Sequence, residues 1–239
     1  MSDRQSTAAA GGCMARRGID YRIYLVTSGT GRKVVDAAAA AALGGAGLVQ
    51  VRAKDASARE LLALLTATAQ AVHKANPATR VLVDDRADVA YAAMCAGAPV
   101  HGVHLGQDDL PPEVARAMLG PDAVIGLTTG TLDLVRQAQM FHVKHPGVLD
   151  YLGAGPFRPT PTKDSGRPPL GVDGYPPLVA ATDLPIVAIG DVTPADVSAL
   201  STTGIAGCAM VRAIMHAPDP AAAVGSALAN WAAGRGGLN

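Results

Sequence analysis

Short β-branched, apolar runs alternate with Ala- and Leu-rich segments along almost the whole chain, and this alternation constrains the fold most strongly. The runs predict eight strands, near residues 22–27, 47–52, 80–84, 100–105, 123–127, 149–153, 185–190 and 206–211. The segments that follow them predict helices near 33–43, 57–75, 87–96, 111–119, 131–143, 173–181, 194–203 and 219–233. Strands that alternate with helices form parallel sheets. Eight such units favour an α/β fold closed into one (β/α)8 TIM barrel over an open sheet.

The length of 239 residues suits a single barrel domain. Apolar residues make up 49% of the chain but aromatic residues only 3%, so we expect a core of Ala, Val, Leu and Ile. Residues 1–18 lack the basic start and apolar middle of a secretion signal. We expect them to form a flexible extension ahead of a catalytic barrel domain at 19–235.

The formal net charge is zero, which argues against nucleic acid or an anionic membrane as the partner. Small phosphorylated molecules remain suitable partners, and a homo-oligomer stays open. No apolar stretch is long enough to span a bilayer. The three cysteines, Cys13, Cys95 and Cys208, are too far apart for a Cys-x-x-Cys metal site. We expect Cys95 and Cys208 to be buried thiols, and a reducing cytoplasm fits this pattern.

The end of the second predicted strand carries polar residues at alternate positions. Alternation along a strand places Gln50, Arg52 and Lys54 on one side. In a parallel barrel, chemistry is located at the carboxyl ends of the strands. Two cations and an amide at such an end suit an anionic ligand. The alternative is a solvated strand end with scattered charges.

Carboxylates follow the next two predicted strands. Asp84 and Asp85 end the third strand, and Asp109 comes shortly after the fourth. Mg²⁺ accepts one or two protein carboxylates and completes its octahedron with water and substrate phosphate oxygens. We therefore expect Asp85 and Asp109 to share Mg²⁺. For Asp109 the alternative is an N-cap, because Pro111 and Pro112 follow it closely.

The later strand ends add hydroxyl and basic groups suited to phosphate. Thr128 ends the fifth strand, and the long connection at 154–172 contains the segment Thr160-Pro161-Thr162-Lys163. This connection predicts a phosphate-binding lid, with a flexible basic loop as the alternative. The last two strands lead to Asp191 and to Val211-Arg212, where barrels of this type often bind phosphate.

No Ser-His-Asp or Cys-His constellation emerges from the sequence. His104 could be a ligand or a base, but its position between Val103 and Leu105 leaves its orientation open, and we favour a structural role. The residues thus predict a metal-assisted site for phosphorylated substrates and do not identify the reaction.

The order of these segments resembles the thiamine phosphate synthase family over about residues 21–217. The matching motifs are GLVQVRAKD (47–55), DDRADVA (84–90), GVHLGQDDLP (102–111), IGLTT (125–129), DYLGAGPFRPTPTK (150–163), LPIVAIGDV (184–192) and AMVRAI (209–214). The combination of GVHLGQDD and PTPTK at this separation is quite specific. The resemblance implies a transferase that joins hydroxymethylpyrimidine diphosphate to thiazole phosphate, giving thiamine phosphate and diphosphate.

The resemblance also implies roles for individual residues. Arg52, Lys54, Lys163 and Thr128 would be catalytic, and Asp85 and Asp109 would bind Mg²⁺. The residues implied in substrate binding are Gln50, Val51, Arg52, Ala53, Lys54, Asp84, Thr128, Thr160, Pro161, Thr162, Lys163, Asp191, Val211 and Arg212. Such a site would favour a largely dissociative displacement, in which the cations neutralise charge on the departing diphosphate and no protein nucleophile is needed.

Three positions depart from the family's common pattern: Asp84 replaces Asn, Thr128 replaces Ser, and Asp191 replaces a Gly. A carboxylate at Asp191 could repel the thiazole phosphate. We hypothesise that Arg212 offsets this, either by pairing with Asp191 or by binding the phosphate itself.

Two other functions remain to be weighed against the synthase. A thiazole tautomerase with a similar barrel would need neither a diphosphate clamp nor a metal pair, so the basic and acidic residues at the strand ends argue against it. A non-catalytic barrel that binds thiamine or a phosphorylated ligand draws its best support from Asp84 and Asp191.

Overall fold

The computed structural model describes residues 18–159, 166 and 168–236. Its eight strands pair in parallel in sequence order, and the eighth pairs with the first, so the sheet is a closed barrel. The strands are β1 Ile23–Val26, β2 Leu48–Val51, β3 Arg80–Asp84, β4 Gly102–Leu105, β5 Val124–Thr129, β6 Tyr151–Ala154, β7 Ile186–Ala188 and β8 Gly207–Met210. The (β/α)8 barrel expected from the sequence is confirmed.

Helices surround this barrel and connect its strands. They are α1 Arg32–Leu43, α2 Ala58–Ala75, α3 Ala87–Cys95, α4 Pro112–Leu119, α5 Leu132–Lys144, α6 Tyr175–Val179, α7 Val197–Ser201, α8 Arg212–Met215 and α9 Pro220–Gly236, with a 3-10 turn at Pro194–Asp196 before α7. The helices predicted at 173–181 and 194–203 are shorter than expected. The short α8, which follows β8 directly, was missed.

Local chemistry explains where several helices begin. Ser57 and Glu60 form a capping box at the start of α2, each side chain bonding the other's backbone N–H. Pro112 is the first residue of α4, and Pro194 is the first residue of the 3-10 turn, where the missing proline N–H costs nothing. These starts match the positions that the prolines predicted.

The apolar core has two parts, one on each side of the sheet. The larger lies between the strands and the helices. The smaller fills the barrel interior and contains Tyr24 and Tyr151 beside aliphatic residues. Most of this inner cluster is aliphatic, as expected, and Tyr24 and Tyr151 are the exceptions. Gly126 makes room there, because a Cβ atom at this position would overlap the Tyr151 ring.

The structure also bears on the sequence predictions about the cysteines, the chain ends and membrane-spanning helices. Cys208 is buried, but Cys95 lies at the end of α3 and is exposed, so the prediction of a buried Cys95 was wrong. The barrel's last helix ends at Gly236. Residues 1–17 lie outside the described part, and their role as an extension stays a prediction. Among the described helices, none is both long and apolar enough to cross a membrane.

Candidate active site

A cavity opens at the carboxyl ends of the strands, where the sequence placed the chemistry. Nine of the predicted residues line it: Gln50, Arg52, Lys54, Asp84, Asp85, Thr128, Asp191, Val211 and Arg212. Val51 alternates away from them, and its side chain packs in the core between barrel and helices. Ala53 lines a neighbouring surface pocket. The predicted residues Thr160, Pro161, Thr162 and Lys163 lie outside the described residues.

The polar side of β2 faces the cavity. Gln50 is almost completely buried in the barrel interior, and its amide donates a hydrogen bond to the Tyr24 hydroxyl oxygen at 2.8 Å. Arg52 forms an ion pair with Asp84, with 3.2 Å between Nε and Oδ2, and both side chains are mostly buried. Its backbone N–H donates to Thr27 Oγ1. The alternative of a solvated strand end is therefore wrong for Gln50 and Arg52, which are fixed by partners from neighbouring strands, whereas the Lys54 side chain is 45% exposed.

The predicted metal residue Asp109 does not line the cavity itself, but its carboxyl group lies beside that of Asp85, which does. The two side chains are close enough for each to shift the pKa of the other, and Lys54 Nζ lies 3.0 Å from Asp85 Oδ2. Burial alone would raise the pKa of Asp85, but the contact with Lys54 and the neighbouring Asp109 side chain hold it below its ordinary value. Burial raises the pKa of Asp109, and the neighbouring Asp85 adds to this rise, against the lowering effect of the hydrogen bond from the Gly106 N–H.

Backbone geometry directs both carboxyl groups. Asp85 has a positive φ of 62°, a conformation that non-glycine residues seldom adopt and that often marks a functional site. Asp109 Oδ2 accepts the backbone N–H of Gly106 at 2.6 Å. The residue that caps α4 is Pro111, so the interpretation of Asp109 as an N-cap is wrong.

These two carboxylates are the groups best suited to a hard cation. Carboxylate oxygens are preferred Mg²⁺ ligands, and a cation would relieve the repulsion between two acids placed side by side. In the part of the chain that the structure describes, no group of three or more acidic, histidine or cysteine residues could hold a metal. An ion at Asp85 and Asp109 would thus complete its coordination with water and substrate oxygens.

A chain of hydrogen bonds crosses the barrel interior from Gln50 to Thr128. Tyr24 and Tyr151 bond through their hydroxyl groups at 2.9 Å, and the Tyr151 hydroxyl bonds His104 Nδ1 at 2.8 Å. His104 Nε2 then bonds Thr128 Oγ1 at 2.9 Å. Both ends of the chain line the cavity, so the buried rings between them orient groups that face a ligand.

Sequence reasoning missed most of this chain. It favoured a structural role for His104, yet His104 itself lines the cavity and holds Thr128. Tyr24 and Tyr151 were not singled out at all. Burial raises the pKa of both tyrosines, so both hydroxyl groups stay protonated and able to donate. The available signal was the placement of two of only five tyrosines within predicted strands.

The far side of the mouth carries a second set of charges. Arg212 Nη2 lies 2.5 Å from Asp191 Oδ1. Arg158, which sequence reasoning also missed, donates to the Asp191 carbonyl oxygen at 3.2 Å and to Asp196 Oδ1 at 2.5 Å. Arg212 could offset the charge of Asp191 either by pairing with it or by binding the phosphate itself, and the structure shows the pairing.

Comparison with known proteins agrees with this geometry. A family model described as thiamine monophosphate synthase matches residues 23–214. A thiamine-phosphate synthase of Corynebacterium jeikeium is 61% identical over 204 residues, 85% of this chain and 91% of that protein. One of Corynebacterium efficiens is 57% identical over 202 residues, 84% of this chain and 90% of that protein.

A solved structure supports the same assignment at lower identity. A thiamine phosphate pyrophosphorylase from Pyrococcus furiosus is 28% identical, with a TM-score of 0.75, and the match covers 90% of this chain and 98% of that one. The family match spans most of the barrel and includes the strand ends that form the cavity. This chain therefore belongs to the thiamine monophosphate synthase family.

Proposed function

We propose that this chain is a thiamine-phosphate synthase, a transferase that joins hydroxymethylpyrimidine diphosphate to thiazole phosphate and releases diphosphate. The observation that carries the proposal is the 61% identity to a thiamine-phosphate synthase over 85% of the chain. The cavity supports it, because cations and paired carboxylates meet at one mouth, as a diphosphate leaving group requires.

The pyrimidine end fits the buried side of the cavity. Gln50 and Thr128 stand at the two ends of the hydrogen-bonded chain, and Asp84 lies beside them. These groups offer hydrogen bonds to the edge of an aminopyrimidine ring in a fixed orientation. Fixed partners reduce the entropy that would otherwise be lost in orienting the substrate.

The diphosphate end fits the basic residues of the mouth. Arg52 and Lys54 are each held by a carboxylate, so their charges stand at defined places before the leaving group departs. As the bond between the methylene carbon and the diphosphate oxygen breaks, negative charge grows on the diphosphate and these cations stabilise it. Lys163 is proposed to add a third cation. The thiazole nitrogen then attacks the methylene carbon, so no protein nucleophile is needed.

Asp85 and Asp109 are the residues we propose for Mg²⁺. When bound, the ion would supply Lewis-acid stabilisation of the diphosphate charge. The contact between the two carboxyl groups and the positive φ of Asp85 support this assignment. The proposed partners are the small phosphorylated substrates, and the proposed compartment is the cytoplasm.

The decisive experiment incubates the purified chain with both substrates, with Mg²⁺ or with a chelator. We expect thiamine phosphate and diphosphate in equal amounts, and only when Mg²⁺ is present. Conversion of a thiazole isomer without the pyrimidine substrate would instead indicate a tautomerase. Binding of the phosphorylated ligands without any product would indicate a non-catalytic barrel.

A matched pair of variants tests the assignment of the mouth. Replacing Lys54 by Met should lower kcat by about 100-fold or more, since removing one group that stabilises transition-state charge costs on that order. Lys33→Met, on the exposed face of α1, should leave kcat unchanged. Equal activity of the two variants would remove Lys54 from the mechanism.

A further inference from the structure

Asp191 and Arg212 face each other across the ends of two adjacent strands. β7 and β8 pair in parallel, so the segments that follow them lie side by side at the cavity mouth. Asp191 comes after β7, Arg212 comes after β8, and both line the cavity. The ion pair between them therefore stands where an anionic ligand enters.

The position of Asp191 is fixed from two directions. Its φ of 58° is left-handed, and Arg158 bonds its carbonyl oxygen at 3.2 Å. Arg158 is anchored in turn by Asp196 and by the face of the Phe157 ring. Asp191 is therefore held in place, and its carboxylate points toward Arg212.

A carboxylate fixed at this place would repel a phosphate group unless its charge were neutralised. Arg212 supplies that neutralisation through one nitrogen, Nη2, and within the described residues it has no other side-chain partner. A guanidinium group has five donors in a rigid planar fork, so one edge can hold a carboxylate while another receives phosphate oxygens.

We infer that Asp191 and Arg212 form one recognition unit for the phosphate group of the thiazole substrate, in which Arg212 is required because Asp191 is present. Asp191 is a positioning residue that orients the guanidinium, and Arg212 cancels its charge and binds the phosphate. This inference rests on the proposed function, since that function supplies the phosphate-bearing second substrate.

A double-mutant cycle tests the inference, because coupled residues depart from additivity. Arg212→Gln leaves the Asp191 carboxylate facing the phosphate, so KM for thiazole phosphate should rise by about 30-fold or more. Asp191→Asn keeps the oxygen that accepts from Arg212 and removes the charge that repels phosphate, so the weaker hold on the guanidinium is offset and KM should rise by about 3-fold at most, far less than for Arg212→Gln. The double variant should recover to within about 10-fold of the wild type. KM for the pyrimidine diphosphate should change little throughout.

Three controls keep the result interpretable. Arg212→Lys retains the positive charge, so this variant should be folded and should bind thiazole phosphate more tightly than Arg212→Gln. Arg32 and Asp36 form an exposed ion pair on α1 outside the cavity, and the same cycle there should leave KM unchanged. Thermal unfolding of each variant shows whether it is folded.

The outcomes separate this inference from the proposed function. A double variant as impaired as Arg212→Gln, or worse, would overturn the inference, because Arg212 would then bind phosphate independently of Asp191. Failure of the wild-type chain to form thiamine phosphate would instead contradict the proposed function. Titration of the same variants with inorganic phosphate then tests the charge pair without turnover. The affinities for phosphate should follow the same order as the KM values. Additive effects of the two substitutions on phosphate affinity would overturn the inference.

Discussion

The Tyr151 hydroxyl joins two halves of a buried polar chain. It bonds Tyr24 on one side and His104 on the other, and its ring is completely buried. A buried polar group without its partner costs free energy, so each member of the chain depends on the others for hydrogen bonds. At the scale of single residues, the orientation of Gln50 and Thr128 thus depends partly on Tyr24 and Tyr151, two buried side chains that do not line the cavity.

Tyr151→Phe should reveal that dependence. Loss of the hydroxyl deprives Tyr24 and His104 of one hydrogen bond each, and the free energy of unfolding should fall by about 1–3 kcal/mol. KM for the pyrimidine diphosphate should rise as Thr128 loses its fixed orientation, and KM for thiazole phosphate should not. Denaturant unfolding and steady-state kinetics measure the two effects. Tyr91→Phe is the control, since Tyr91 is 49% exposed, and unchanged stability of Tyr151→Phe would contradict the argument.

The residue scale also shows what sequence reasoning can and cannot reach. Alternation on β2 correctly grouped Gln50, Arg52 and Lys54, because a strand has a period of two and charged groups seldom face a core. The same period could not orient His104, whose neighbours Val103 and Leu105 are both apolar. The orientation of His104 depends on the register between neighbouring strands, which places His104 beside Gly126 and Thr128 beside Gly153. The periodicity of a single strand does not reveal this register.

Among the elements, β5 makes room for a ring from its neighbour. Gly126 lies beside Tyr151 across the pair of strands β5 and β6, and a Cβ atom there would overlap the ring. Gly126→Ala should therefore lower the free energy of unfolding by about 1–3 kcal/mol, the usual cost of overpacking. Gly225→Ala, in open space on α9, should raise it by about 0.5–1 kcal/mol through helix propensity. A Gly126→Ala protein as stable as the wild type would show that Tyr151 moves freely.

Arg116 on α4 fastens the opposite end of the barrel from the cavity. Its guanidinium bonds Asp150 at 2.8 Å and the carbonyl oxygen of Val148 at 3.0 Å, and Asp150 also accepts the backbone N–H of Ile125. The Arg116 and Asp150 side chains are only 12% and 10% exposed. One helix is thus bonded to the amino ends of β5 and β6.

Replacement of Arg116 by Met should separate stability from activity. It leaves a buried carboxylate without its cation, which costs about 3–5 kcal/mol of unfolding free energy. Both KM values should stay near those of the wild type at temperatures where the variant is folded, because Arg116 lies outside the cavity lining. Arg136→Met is the control, since its pair with Asp133 is exposed. Equal stability of the two variants would contradict the proposed role.

Element boundaries were predictable where the chain carries a chemical signal at the boundary. The capping box at Ser57 and the proline at Pro112 mark helix starts. The helix α8, Arg212–Met215, has four residues, too few to show an amphipathic period. Its place directly after β8 sets the direction of Arg212, so the shortest of the described α-helices, missed in the sequence, positions part of the site.

For the whole molecule, closure of the barrel determines which thiols a reagent can reach. Cys208 lies on β8, fully buried between barrel and helices, whereas Cys95 at the end of α3 is exposed. The strand count predicted the closed barrel, but composition could not distinguish these two cysteines, since both are flanked by small apolar residues. Exposure depends on how α3 packs, which only the assembled fold determines.

Thiol labelling should therefore report opening of the barrel. Burial raises the pKa of Cys208 to about 12, so at pH 8 its thiolate is scarce as well as inaccessible. In a Cys13→Ser background, Cys95 should react quickly with a thiol reagent, and Cys208 only at the rate of unfolding, a rate that denaturant increases. Cys95→Ser should remove the fast phase and Cys208→Ala the slow one. If Cys208 reacted as fast as Cys95 under native conditions, β8 would have to detach from its neighbours without global unfolding, and the barrel would not behave as one cooperative unit.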